Sequence, residues 1–117
     1  MASVLLIDDD SGGLEIRKML LERDGHRVFI AVDAASARDK FRELQPDCVI
    51  LDLRLPSPED GLGLVREFRE MAPDVRIVAL TGWRADLEGH PEHALVDEVL
   101  AKPVRSERLI TAVRKRA

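Results

Sequence analysis

The chain has 117 residues, enough for one domain and too few for a second independent core. Hydrophobic residues make up 45%, which excludes general disorder, and 18 Lys+Arg against 22 Asp+Glu leave a net charge of −4, the wrong sign for a nucleic-acid coat protein. The single cysteine, Cys48, leaves no internal disulfide and no cysteine-built zinc site, and no apolar run has the length of a signal peptide or membrane span. A small soluble domain of the cytoplasm is the class that remains.

The first apolar run is residues 4–7, and it lacks the alternation of a half-exposed strand, so it reads as a strand buried on both faces. A helix follows, with Leu14, Ile16, Met19, Leu20 and Leu21 as its apolar face and Gly25 as its C-terminal cap. Residues 28–31 form a second strand. Ala34, Ala37, Phe41 and Leu44 recur at helical spacing after it, with Asp33 placed to cap that helix and Pro46 to stop it. The third strand is residues 48–51, with Cys48 a small core residue inside it. The third helix carries Leu64, Val65, Phe68 and Met71, ending before Pro73. Residues 75–80 are the fourth strand. Between Thr81 and Val99 the segment contains Gly82, Gly89 and Pro91, which predicts a short or broken fourth helix. A weaker strand, residues 99–101, precedes a last helix capped by Ser106, with Leu109, Ile110 and Val113 inward. Five strand–helix units without a repeat mean a doubly wound α/β sandwich, a five-stranded parallel sheet with helices on both faces.

Ligands of such sheets bind beyond the carboxyl ends of the strands, near the point where strand order reverses. Asp8, Asp9 and Asp10 follow the first strand, Asp52 the third, Thr81 the fourth and Lys102 the fifth. Strand order 2-1-3-4-5 would set these four loaded ends side by side. Two carboxylates about 4 Å apart repel by about 4 kcal/mol at an effective dielectric near ~20, so such a cluster calls for a cation. The all-oxygen donor set suits Mg²⁺. A carboxylate can attack phosphorus to give an aspartyl phosphate, while a threonine hydroxyl and a lysine ammonium neutralise the phosphoryl oxygens. Asp10 or Ser11 reads as a helix cap, and Gly82 lets a backbone N–H approach a phosphate.

Asp8-Asp9, Asp52, Thr81 and Lys102-Pro103, in that order, resemble the receiver domain of the response regulators of two-component signalling. The stretch Asp52-Leu53-Arg54-Leu55-Pro56 with Asp60-Gly61 resembles the family's phosphorylation-site loop, and the likeness covers essentially the whole chain. The resemblance implies a flavodoxin-like fold and one receiver domain over residues 1–117, with no effector domain in this chain. It implies Asp52 as the phosphoacceptor from a sensor histidine kinase or phosphotransfer protein, Asp9, Asp52 and the Arg54 carbonyl as Mg²⁺ ligands with Asp8 acting through water, and Thr81 and Lys102 on the phosphoryl group. It further implies a cis Lys102–Pro103 bond and a switch that labels once instead of turning over as an enzyme.

Three positions depart from the family pattern. Val99 stands at the switch position three residues before the lysine, where Tyr or Phe is usual; the loop at residues 56–61 reads one residue longer; and the fourth helix is rich in breakers. Arg54 and Trp83, two residues beyond Asp52 and Thr81, are candidate modulators that restrict water and prolong the phosphorylated state, the alternative being that both simply stand exposed. The output surface is expected on the fourth helix, fifth strand and last helix, with Asp86, Glu88, Glu92, Asp97 and Glu98 on one part and Arg114-Lys115-Arg116 on the other. A downstream protein, no nucleic acid, no membrane, and a monomer or weak dimer complete the expectation. His90 and His93 are three apart but lack a third ligand for a metal. Two other classes compete: a Mg²⁺-dependent phosphatase of the haloacid-dehalogenase kind, which would use Asp8-Asp9-Asp10, Thr81 and Lys102 but leave Asp52 without a task, and a degenerate receiver used only for docking.

Overall fold

The computed structural model describes residues 2–115. In chain order it contains β1 (Ser3–Ile7), α1 (Ser11–Arg23), β2 (Arg27–Ala31), α2 (Ala34–Leu44), β3 (Cys48–Asp52), α3 (Pro58–Met71), β4 (Arg76–Thr81), two 3₁₀ turns (Arg84–Asp86 and Pro91–Leu95), β5 (Glu98–Ala101) and α4 (Ser106–Arg114). All neighbouring strands run parallel, in the order β2-β1-β3-β4-β5. Each strand lies within a residue or two of the apolar run that announced it.

Alternate strand residues feed two cores, as the pleat demands. Leu5, Ile7, Val49, Leu51, Ile77 and Ala79 pack against α2, α3 and Leu87, while Val4, Leu6, Cys48, Ile50, Val78 and Leu80 pack against α1 and α4. Phe41 of α2 stacks on Phe68 of α3, ring centroids 4.1 Å apart, and couples the two helices of the first core. Asp33 caps α2 by accepting from the Ser36 amide at 2.7 Å, and Gln45 ends that helix in the left-handed region at φ 46°. Gly25 turns the chain out of α1 at φ 91°.

Four expectations about the helices are corrected. In α1 only Leu14 and Leu21 are buried, whereas Ile16 and Met19 are 63% and 60% exposed. At about 100° per residue, Ile16, Met19 and Leu20 fall on the side opposite Leu14 and Leu21, so the five apolar residues are two stripes and not one. Met71 likewise stands exposed at the end of α3. Residues 58–61, read as loop, are the first turn of α3: Pro58 opens the helix, and the Asp60 carboxylate accepts from the Ser57 hydroxyl at 2.9 Å. Arg105 and not Ser106 occupies the cap position of α4, without a side-chain cap bond.

Between β4 and β5 there is no α-helix at all. Gly89, at φ 81°, and Pro91 divide the segment into the two 3₁₀ turns, and arginines from the β3–α3 half hold it in place. Arg66 pairs with Glu92, which is buried. Arg69 donates to the carbonyls of Pro73, Val75 and Leu95 and pairs with Asp97 at 2.9 Å. Glu98 is taken by Arg76 at 2.6 Å. The expected acidic surface is therefore largely neutralised from within the fold. At the basic end, Arg114 pairs with Asp24 and Lys115 approaches Glu98 at 3.8 Å; Arg116 lies outside the described residues.

Candidate functional site

Strand order reverses between β1 and β3, and the register there sets Ile7 level with Leu51. The residues that follow, Asp8 and Asp52, thus emerge at the same height on adjacent strands. Across the next two pairings Asp52 is level with Leu80 and Thr81 with Ala101, so Thr81 and Lys102 step out one residue at a time beside them. Backbone pairing alone gathers residues from four strand ends.

Asp8 and Asp52 are buried at 2% and 7% exposure, an arrangement that needs opposite charge or donors. Both have them. Lys102 Nζ pairs with Asp52 and lies 3.7 Å from Asp8 Oδ2, so one ammonium serves two carboxylates. Asp8 also takes Arg17 Nη2 at 2.5 Å and the Asp10 amide at 3.0 Å, while Asp52 Oδ1 accepts the Arg54 amide at 3.0 Å. Among the described residues no buried side-chain polar atom lacks a partner.

Three of the expected site residues are thus in contact, and the others stand around them. Asp9 is exposed at the rim. Thr81 is buried, and its hydroxyl donates to the Trp83 carbonyl at 2.7 Å and accepts from the Trp83 amide at 3.0 Å, so it is engaged on its own loop. Trp83 is 64% exposed. The Arg54 guanidinium reaches across to Asp86, Nε to Oδ2 at 2.7 Å and Nη2 to Oδ1 at 3.1 Å, and the Asp86 hydrogen bond raises the arginine's pKa, with the charges of Asp86, Asp52 and Glu59 adding to it. Val99 borders a hollow of about 310 Å³ with Thr81, Leu87, His93 and Ala101. The Lys102–Pro103 bond is cis, and so is Leu55–Pro56.

The donor chemistry fits a hard divalent cation, since two buried carboxylates converge on one positive charge and offer only oxygen. No group of three or more acidic, histidine or cysteine side chains among the described residues converges with metal-holding geometry, because Asp9 stays outside and Arg17 and Lys102 supply the positive charge. His90 and His93 form no such group either.

Two contributors to the site escaped the sequence reading, Asp86 having been named there only for the output surface. Arg17 sits three residues after Leu14 and four before Leu21, on the inward stripe of α1, and a charge on that stripe was the available signal. Asp86 belongs to an irregular turn with no periodicity, and nothing in the sequence ties it to Arg54.

A family model described as the response regulator receiver domain matches residues 4–114. Among curated proteins, the probable C4-dicarboxylate response regulator DctR of Halalkalibacterium halodurans is 33% identical over 114 residues, covering 94% of this chain and 49% of that protein. The chain spans about half the length of the curated relatives it matches. Among solved structures, a response regulator receiver domain protein from Clostridium thermocellum has a TM-score of 0.88 at 32% identity, covering 99% of this chain and 94% of that one. TrrA from Thermotoga maritima, solved in complex with Mg(2+)-BeF, has a TM-score of 0.88 at 28% identity and covers 100% of both chains. Fold and strand-end cluster together define a flavodoxin-like signalling domain. The chain belongs to the response regulator receiver domain family, the phosphoacceptor switches of two-component signalling, which are not turnover enzymes. No helix among the described residues is long and apolar enough to cross a membrane.

Proposed function

We propose that Asp52 is the acceptor of a phosphoryl group from the phosphohistidine of a sensor histidine kinase or phosphotransfer protein. The supporting observation is the pair of buried carboxylates, Asp8 and Asp52, that share the Lys102 ammonium at the reversal of strand order. An Asp52 carboxylate oxygen forms the new bond to phosphorus as the bond from phosphorus to histidine nitrogen breaks, and the nitrogen keeps the electron pair. Lys102, already on Asp52, neutralises one phosphoryl oxygen. Thr81 offers its hydroxyl to another once it leaves the Trp83 carbonyl. Asp8, Asp9, Asp52 and the Arg54 carbonyl are the groups that would hold Mg²⁺, which supplies charge neutralisation at the phosphoryl oxygens.

In this reading residues 1–117 are one receiver unit, working in the cytoplasm as a monomer or weak dimer without nucleic acid or membrane. The product is a long-lived label lost slowly to water, with Arg54 and Trp83 slowing that loss. Output passes through the two 3₁₀ turns, β5 and α4 to a downstream protein. The test is incubation with a small phosphodonor and Mg²⁺ followed by intact mass. Wild type is expected to gain one phosphoryl group and Asp52→Asn none; an unlabelled wild type, or an Asp52→Asn variant labelled to the same extent, would overturn the assignment.

A further inference from the structure

Arg54 and Asp86 come from different strand-end loops, yet they form a two-pronged ion pair across the mouth of the site. The root of the Arg54 side chain lies against the acceptor, because its own amide donates to Asp52 Oδ1 at 3.0 Å. Its guanidinium feels the charge of Asp52 as well as that of Asp86. The far partner is the more buried: the Asp86 side chain is 10% exposed against 51% for Arg54. Asp86 also belongs to the turn that begins at Trp83, its amide donating to the Trp83 carbonyl at 3.1 Å, and that same carbonyl accepts the Thr81 hydroxyl. Arg84, in the same turn, borders the hollow beside Val99.

We propose that Asp86 is a positioning residue that parks Arg54: the pair is an exchangeable latch, closed on Asp86 in the unmodified protein and surrendered to the phosphoryl group once Asp52 is modified. This rests on the reading of Asp52 as acceptor. Asp86 occupies the Nε–Nη2 edge of the guanidinium, and a phosphoryl group, with nearly twice the charge of a carboxylate and three acceptor oxygens, competes for it. Transfer of Arg54 shields phosphorus from the water whose attack breaks its bond to Asp52 and releases inorganic phosphate. It also frees Asp86, and with it the turn bearing Arg84. A charge handed from one loop to the next thereby links the site to the surface around Val99, where valine stands at the switch position.

The latch is tested by the lifetime of the label, followed by intact mass after the phosphodonor is removed, in five proteins of matched melting temperature. Asp86→Asn, which removes the charge of Arg54's rival partner, is expected to lengthen the lifetime about two- to fivefold, the range an exposed ion pair spans. Arg54→Ala is expected to shorten it, the double variant to behave as Arg54→Ala alone, and Asp86→Glu to restore most of the wild-type value. In wild type the Arg54 Nε–H resonance is expected to move on adding beryllofluoride with Mg²⁺. An equal effect of Asp86→Asn with and without Arg54, no effect at all, or an unmoved resonance overturns the latch and leaves the acceptor assignment standing. A wild type that never takes label overturns both.

Discussion

Replacing Gly61 with alanine opposes two effects whose sizes can be read from the structure. Gly61 lies in the first turns of α3, where alanine in place of glycine normally stabilises a helix by about 1 kcal/mol. A β-carbon there would sit 2.1 Å from the Leu53 carbonyl oxygen, 2.5 Å from its α-carbon and 2.6 Å from its carbonyl carbon. These are backbone atoms of a fully buried residue, so no flexible side-chain end can swing aside. Forcing extra atoms into a packed interior costs about 1–3 kcal/mol, and this contact lies at the severe end. The net expectation is a loss of about 2 kcal/mol, or roughly 6–10 °C in melting temperature for a domain of this size. Gly63, two residues on, is the control: its nearest neighbour would be an Arg66 guanidinium nitrogen at 3.7 Å, so Gly63→Ala is expected to gain up to about 1 kcal/mol. Thermal and urea unfolding followed by circular dichroism measure both. Leu53 lies between Asp52 and Arg54, so Gly61→Ala should also slow labelling while Gly63→Ala does not. A Gly61→Ala protein as stable as wild type would refute the claim that close approach of α3 to Leu53 shapes the acceptor loop.

Two further outcomes are expected. Asp24, Asp33 and Glu92 are held below their ordinary values of 3.8, 3.8 and 4.5, chiefly by hydrogen bonds from the Arg114 side chain, the Ser36 amide and the Arg66 side chain respectively. A carboxyl depressed in the folded state contributes stability that is complete above its unfolded pKa and disappears as pH falls through the folded one, so the melting temperature should hold down to about pH 5 and decline below about pH 4. Asp24→Asn should reduce that decline; an identical acid branch in the variant would refute the role of the Asp24 pair. Arg69→Met takes the guanidinium from the carbonyls of Pro73, Val75 and Leu95 and from the Asp97 carboxylate, which keeps the Ile77 amide, and should cost about 2–3 kcal/mol in urea unfolding, with Arg69→Lys recovering only part. A loss below about 0.5 kcal/mol would show that water replaces the guanidinium without penalty.

Uninterrupted apolar runs revealed the strands because a sheet covered on both faces demands them, and strand order then followed from where the charged residues fell. Asp8, Asp52 and Lys102 were legible for the same reason, as polar residues ending apolar strands. Side-chain direction was not legible. Thr81 could be placed at its strand end but not turned onto Trp83, and Arg54 could be named but not followed to Asp86. In α1 the count of apolar residues hid their angular spread, so Ile16 and Met19 emerged on the solvent side. The segment after β4 obeys neither a two- nor a 3.6-residue period, and its anchors Arg66 and Arg69 lie more than twenty residues earlier in the chain. Long-range ion pairs of that kind leave no local trace.

The stretch joining β4 to β5 has a wider consequence. Its 3₁₀ turns contribute little order of their own, and what fixes them is Leu87 in the first core together with the grip of Arg54, Arg66 and Arg69 on Asp86, Glu92 and Asp97. A segment moored in large part by charge answers to ionic strength and to any new anion arriving nearby more than a well-wound helix at the same place would.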